Sequence, residues 1–390
     1  MLRKCNEEKK QNITTLLDGI ENLLKHYAAR SIGYPSNFSF ALSDLLEWWS
    51  NSLLSSVPLN DVGDPKDEKK IMLSTKELEK EVLYYFSRLF YLSNYWGYIT
   101  PGGTQGNEQG LFMGREYLRQ FDTPILYYSE ESHYSVATLA RLLDLESRIL
   151  SCKENGEVCI DRFYDTIDPN RPALLLLSIG TTFKGAIDPI ETFHEIIVDK
   201  QVPAVYYHAD AALFGGYLPY LRDVSVPSLD FSKYPFHSIS VSGHKFFGSP
   251  VPLGLFLTHS HFADNMDAGF VEYVQSNNII IPCSRSSLNT LIFYWTLFTT
   301  DRKTFENEAL EILETATYLY ESLQSLGYPS WKNLFSNIVF FKQIPRELAK
   351  EWSIPSLNCK YLGPISHIVC MQHVDKECVD SFLQQLKATM

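Results

Sequence analysis

Short apolar runs alternate with helix-period segments from Gly97 to about Leu257, and this alternation restricts the fold more than any other property of the chain. The runs at 124 to 129, 147 to 151, 173 to 179, 204 to 209, 237 to 242 and 253 to 258 read as strands. Helical spacing fills 105 to 120, 133 to 143 and 190 to 199. Strands joined by helices require a mostly parallel central sheet with helices on both faces, an α/β fold. Ligands of such sheets sit at the carboxyl ends of the strands.

The flanks differ. Ile13, Leu16, Leu17, Ile20, Leu23 and Leu24 give a helix over 7 to 31 one apolar face, and Gly33-Tyr34-Pro35 ends it. Further helices are expected at 41 to 55 and 75 to 92, with a loop from Pro58 to Asp67. Beyond Thr290 the chain reads as helix from 291 to 326, in one piece or two, then short strands near 337 to 342 and 367 to 371, and a last helix from Lys376 to Lys387. That pattern describes a small C-terminal α+β domain.

With 390 residues there is material for a large domain and a smaller one. A formal charge of -12 argues against nucleic-acid binding, which needs concentrated Lys and Arg. No apolar run reaches the ~18 residues of a membrane span, and the first residues lack the apolar core of a signal peptide. The seven cysteines never adopt a Cys-x-x-Cys spacing, as expected of reduced thiols in a cytoplasmic protein. No metal is expected: His259 and His261 are the only close histidine pair, with no carboxylate or cysteine set beside them. Gly-x-Ser-x-Gly is absent, which disfavours a serine hydrolase.

Four stretches carry chemistry. His237 to Leu255 runs from an alternating strand into a turn holding Ser242, Gly243, His244, Lys245 and Gly248. An apolar strand and Phe246-Phe247 bound Lys245, and a desolvated ammonium becomes an amine nucleophile near neutral pH. Taken alone, the stretch also permits a turn with a snorkelling lysine. Gly102-Gly103-Thr104-Gln105-Gly106-Asn107 opens a helix, whose free N–H groups suit a phosphate, although it matches neither the Walker nor the Gly-x-Gly-x-x-Gly spacing. His133 follows a strand and opens the next helix, where it can stack on a planar ring or simply cap. Asp210 ends a β-rich run before Ala211 and Ala212, where it can pair with a protonated ring nitrogen or cap a helix. A phosphate cradle, a stacking histidine, an aspartate for a pyridinium and an amine for an aldehyde together suit pyridoxal 5'-phosphate (PLP).

These stretches, with Tyr95 to Thr100, Gly180 to Asp188, His208 to Gly215 and Ser240 to Pro250, resemble the group II PLP-dependent amino-acid decarboxylases. Within that group the chain is most similar to bacterial PLP-type histidine decarboxylases and plant serine decarboxylases. The resemblance implies a fold-type I, aspartate-aminotransferase-like homodimer with its active site at the subunit interface. It implies that 1–60 is a helical segment serving the dimer and substrate pocket, 61–297 the PLP-binding domain and 298–390 the small domain. Lys245, His133 and Asp210 are then the catalytic residues, with Lys245 the Schiff-base lysine, Asp210 on the pyridinium and His133 on one ring face. Ala212 packs the other face, Thr181 reaches the phenolic oxygen, and Gly103, Thr104, Ser242 and His244 bind phosphate. Tyr34 and Asn37 border the substrate pocket, as do Ser284 and Arg285.

Departures from the family pattern cluster on the substrate side. Cys283-Ser284-Arg285-Ser286-Ser287-Leu288 stands where relatives have Gly-Ser-Arg-Asn-Gly-His, Gln105 replaces a glutamate and Ser74 a histidine. The expectation is an L-amino-acid α-decarboxylase releasing CO2 and a primary amine, with histidine or serine as substrate. The alternatives are another PLP lyase or aminotransferase on the same fold, and a PLP-binding regulatory homologue without turnover.

Overall fold

The computed structural model describes residues 7–28, 30–66, 73–222, 225–266, 269–272, 276–277 and 279–390. Three helices precede the main sheet: α1 (Glu7–Ala28), α2 (Ser43–Asn51) and α3 (Lys76–Leu89). A short strand, β1 (Asp61–Val62), lies between the last two. The large sheet contains β2 (Tyr95–Thr100), β3 (Ile125–Ser129), β4 (Ser147–Leu150), β5 (Ala173–Ser178), β6 (Val205–Asp210), β7 (Ser238–Val241) and β8 (Gly254–His259). Their spatial order is β2-β8-β7-β6-β5-β3-β4. Only the pairings of β8 are antiparallel, so six strands share one direction and β8 opposes them.

Helices α4 (Gly103–Leu118), α5 (Ser135–Leu142), α6 (Ile160–Thr166), α7 (Ile190–Asp199) and the one-turn α8 (Phe214–Tyr217) interleave with these strands. Two apolar clusters pack against the sheet. One contains Phe86, Leu175, Phe193, Phe246 and Phe293; the other contains Trp96, Leu111, Leu126, Tyr206 and Phe256. With apolar layers on both faces, the central strands have no solvated side, and Ala173–Ser178 is buried at every position.

Helix α4 packs on the sheet through glycines as well as leucines. Leu111 and Leu118 are buried, but Phe121 lies beyond the helix and is 54% exposed. Glycines instead bring the helix close to the sheet. A Cβ on Gly106 would collide with Ser240, one on Gly110 with the His208 ring, and one on Gly114 would lie 2.6 Å from a Leu174 methyl. The spacing of four puts all three on one face.

After β8 come the short strands β9 (Phe270–Val271), β10 (Ser276–Asn277) and β11 (Ser284–Arg285), the last paired with β1. The expected helix at 291 to 326 is two helices, Ser287–Thr299 and Arg302–Ser325, divided before the cap residue Asp301, whose carboxylate accepts from the Thr304 N–H. A four-stranded antiparallel sheet follows, in the order β12 (Ser330–Lys332), β13 (Ile338–Lys342), β15 (Gly363–Val369), β14 (Ser356–Cys359). The last helix, Lys376–Lys387, has the expected bounds. Helix α1 keeps its apolar face uncovered: Leu16, Leu17, Leu23 and Leu24 are all more than half exposed.

Candidate active site

The carboxyl ends of β5, β6 and β7 bring Ser178, Asp210 and Ser240 side by side in register. Past these ends lies a cavity of about 400 Å³. Its walls include all nine residues expected to bind the cofactor: Gly103, Thr104, His133, Thr181, Asp210, Ala212, Ser242, His244 and Lys245.

Lys245 reaches the cavity from a single π-helical turn, His244–Gly248, a wide turn found disproportionately at functional sites. Gly248, at φ +80°, ends it in a conformation that favours glycine. The Phe246 carbonyl accepts from Asn37 Nδ2 and from Gln372 Nε2, both at 2.8 Å. The N-terminal segment and the C-terminal region therefore both fasten the lysine turn. Among the described residues no carboxylate lies within 4 Å of the Lys245 ammonium. Burial lowers its pKa, and the charge of Asp210 opposes that shift only in part.

Two serines explain the Ser-x-Ser spacing ahead of the lysine. Ser240 Oγ donates to the Gly103 carbonyl at 3.0 Å, and Ser242 Oγ accepts from the Gly103 N–H at 3.1 Å. A Cβ on Gly103 would lie 2.6 Å from Ser242 Oγ, so the contact needs glycine. Ser242 takes the first N–H of α4, and the N-cap residue Gly102 has no side chain to take another, which leaves the next N–H groups of the first turn for an anion.

Asp210 sits inside a buried hydrogen-bond chain. Its Oδ1 accepts from the Ala212 N–H at 3.2 Å and its Oδ2 from Asn107 Nδ2 at 2.8 Å. Asn107 Oδ1 lies 3.0 Å from His208 Nε2, and His208 Nδ1 lies 2.8 Å from Ser238 Oγ. Burial lowers the His208 pKa to about 3, so the ring is neutral. His133 is lowered first by burial, then raised by Asp210 and lowered by Lys245. Its Nδ1 meets Ser135 Oγ at 2.8 Å. His244 is lowered chiefly by burial, and its Nδ1 lies 2.8 Å from the Leu253 carbonyl.

The expected substrate-pocket residues are placed differently. Arg285 turns away from the cavity because its guanidinium is held by Glu79 Oε2 at 2.7 Å and by the Gly63 carbonyl at 2.9 Å. Ser284 is exposed and bonded to Asn60. Asn37 is buried beneath the lysine turn, and Tyr34 is 51% exposed; Pro35, between them, lines the cavity. Gln105 also lines it, and its Oε1 is buried without a partner. Asn107, His208 and Ser240 fall within the family-like stretches, but only their contacts reveal what they hold. The small spacer Gly106-x-x-x-Gly110 is the one sequence signal of that approach.

These residues fit PLP. A helix end with N–H groups still open in its first turn faces the cavity for a phosphate, a carboxylate accepts from two N–H donors and retains lone pairs, and an amine with no carboxylate within 4 Å among the described residues lines the same cavity.

Comparison with known proteins agrees. Residues 114–330 match the pyridoxal-dependent decarboxylase conserved domain, a match that begins after the Gly103–Asn107 stretch. The chain is 33% identical over 385 residues to serine decarboxylase 2 of Oryza sativa subsp. japonica, covering 97% of this chain and 79% of the relative. It is 33% identical over 351 residues to a histidine decarboxylase of Vibrio campbellii, covering 88% and 86%. The fold is that of L-methionine decarboxylase from Streptomyces sp. 590, with a TM-score of 0.87 at 21% identity over 98% of this chain and 95% of that one. The chain belongs to the pyridoxal-dependent decarboxylase family.

Proposed function

We propose that the protein is an L-amino-acid α-decarboxylase that releases CO2 and a primary amine, its substrate being histidine or, as the second choice, serine. The observation that carries the reading is Lys245, without a counter-ion and with a lowered pKa, in one cavity with Asp210 and His133. The similarity to a histidine and to a serine decarboxylase at the same 33% identity supports either substrate equally.

PLP supplies the electron sink that accepts the bonding pair left on Cα as the carboxylate departs. Gly103, Thr104, Ser242 and His244 would hold its phosphate, Lys245 its aldehyde and Asp210 its ring nitrogen. His133 and Ala212 would cover its two faces, and Thr181 would meet its phenolic oxygen. The lowered pKa of Lys245 keeps a larger share of its amine free of a proton near neutrality, as a nucleophile requires. Asp210, accepting from Asn107 and Ala212, presents negative charge toward the cavity and favours a protonated ring nitrogen.

Residues 61–297 would form the cofactor domain, 298–390 the small domain and 1–60 a segment serving the dimer. The uncovered apolar face of α1 supports a homodimer. The six described cysteines are all free, which supports the reducing cytoplasm.

The test is CO2 and amine detection over all L-amino acids with the PLP-loaded protein. Amine from histidine or serine alone supports the reading. A keto acid with the amino group retained on the protein points to an aminotransferase, and cofactor absorbance with no product from any amino acid points to a regulatory homologue.

A further inference from the structure

We propose that Ser238, His208 and Asn107 form a positioning relay that fixes Asp210 in its ionised, accepting form against the cofactor's ring nitrogen. This rests on the reading of Asp210 given above.

The donor assignments close on one arrangement. Asn107 must direct its amide N–H groups at Asp210, since a reversed amide would set its oxygen against a carboxylate oxygen. Asn107 Oδ1 therefore faces His208 Nε2, which has to donate. A neutral imidazole that donates from Nε2 accepts at Nδ1, where the Ser238 hydroxyl stands at 2.8 Å. Every member is buried: Ser238 and His208 at 0% exposure, Asn107 at 2% and Asp210 at 8%. No water is needed to complete the chain, so its polarity runs one way, with each hydrogen pointing toward Asp210. Protonating Asp210 at Oδ2 would set two donors against each other and reverse the chain.

The packing requires the same arrangement. Gly110 is the position at which a Cβ would strike the His208 ring, so α4 can bring Asn107 onto Asp210 only because that residue is glycine. The titratable groups facing Asp210 are His133 from the start of α5, Lys245 from the π-helical turn and, through Asn107, His208. Only His208 reaches it through a continuous set of hydrogen bonds on the side away from the cavity.

The experiment uses the holoenzyme loaded with PLP carrying 15N in the ring, and follows the ring-nitrogen resonance against pH together with cofactor affinity by equilibrium dialysis. Losing one hydrogen bond to a buried charge should move the ring-nitrogen titration of Asn107→Ala down by roughly one to two pH units and weaken cofactor binding at least about tenfold. His208→Phe should behave alike, whereas His208→Gln, which can accept from Ser238 and donate to Asn107, should restore most of the wild-type titration. A purely structural role would lower stability in both His208 variants and leave the titration in place. Asp210→Ala is the control for the underlying reading: if it leaves the titration unmoved, Asp210 does not face the ring nitrogen. If Asp210→Ala moves it while Asn107→Ala and His208→Phe do not, the relay alone is refuted. Should those two variants fail to fold, Ser238→Ala decides, with a smaller downward shift expected and an unchanged titration overturning the relay.

Discussion

Arg285 donates from Nη2 to Glu79 Oε2 at 2.7 Å, with side-chain exposures of only 3% and 0%. The guanidinium also lies over the Tyr98 ring at 5.5 Å, and the other Glu79 oxygen accepts from the Ile99 N–H. The pair ties β11 to α3 and to the strand that leads into Gly102 and Gly103. Burial raises the Glu79 pKa, with Arg285 the main opposing influence, so removing the arginine strands a carboxylate. Arg285→Ala should destabilise the fold by about 3–5 kcal/mol in denaturant unfolding. Because Arg285 does not line the cavity, the relative rates on different amino acids should stay as in the wild type.

Lys245→Ala should abolish both the visible absorbance of bound cofactor and turnover. The cavity contains no other lysine. Retained turnover over the amino-acid panel would refute the role given to Lys245.

Asn37 and Gln372 hold one carbonyl oxygen, that of Phe246, from opposite ends of the chain. Each bond should contribute about 1 kcal/mol. Asn37→Ala and Gln372→Ala are expected to lower unfolding stability by about that amount each. The double variant should lose more than the sum, because the carbonyl keeps a partner in either single variant and has neither in the double. A strictly additive double variant would show that the two bonds act separately.

Asp188 sets a pH dependence of known sign. Burial pushes its carboxyl up from 3.8 to about 7, while its Oδ2 accepts from the Ser178 N–H. A folded-state value above the unfolded one means that the folded chain keeps the proton longer. The stability from Asp188 is thus complete below pH 4 and is lost as pH rises toward 7. Asp188→Asn cannot ionise, so its stability relative to wild type should rise across that window by about 1.4 kcal/mol per pH unit. Unfolding of both proteins at matched pH values between 4 and 8 measures it, and a constant difference would contradict it.

The large sheet was legible because buried strands read as short apolar runs. Leu174 to Leu177 and Ile125 to Tyr128 could not be solvated on either face. Strand β2 was less legible: its Gly97 and its aromatic residues precede a glycine turn, and local pattern gives no sign of the antiparallel partner at 254–259. The edge strands β12 and β14 are three and four residues long, too short for a period to register. Lys245, Asp210 and His133 stand out in the sequence by their chemistry near strand ends, and all three line the cavity. The placement of Arg285 and Asn37 depends on Glu79 and Phe246, which lie 206 and 209 positions away in the chain, and no local spacing carries that information.

The order of strands in the large sheet also orders its making. Strand β2 is the first to leave the ribosome, yet its only partner in the sheet is β8, the last. At 5–20 residues per second, roughly 8 to 30 s separate the two. Meanwhile β3 to β7 can already pair with one another. The turn at Gly102 and Gly103 hangs from the waiting strand, so docking β2 beside β8 both completes the sheet and brings Gly103 to Ser240 and Ser242. A nascent chain is therefore unable to bring Gly103 against Ser240 and Ser242 until this whole layer has been synthesised.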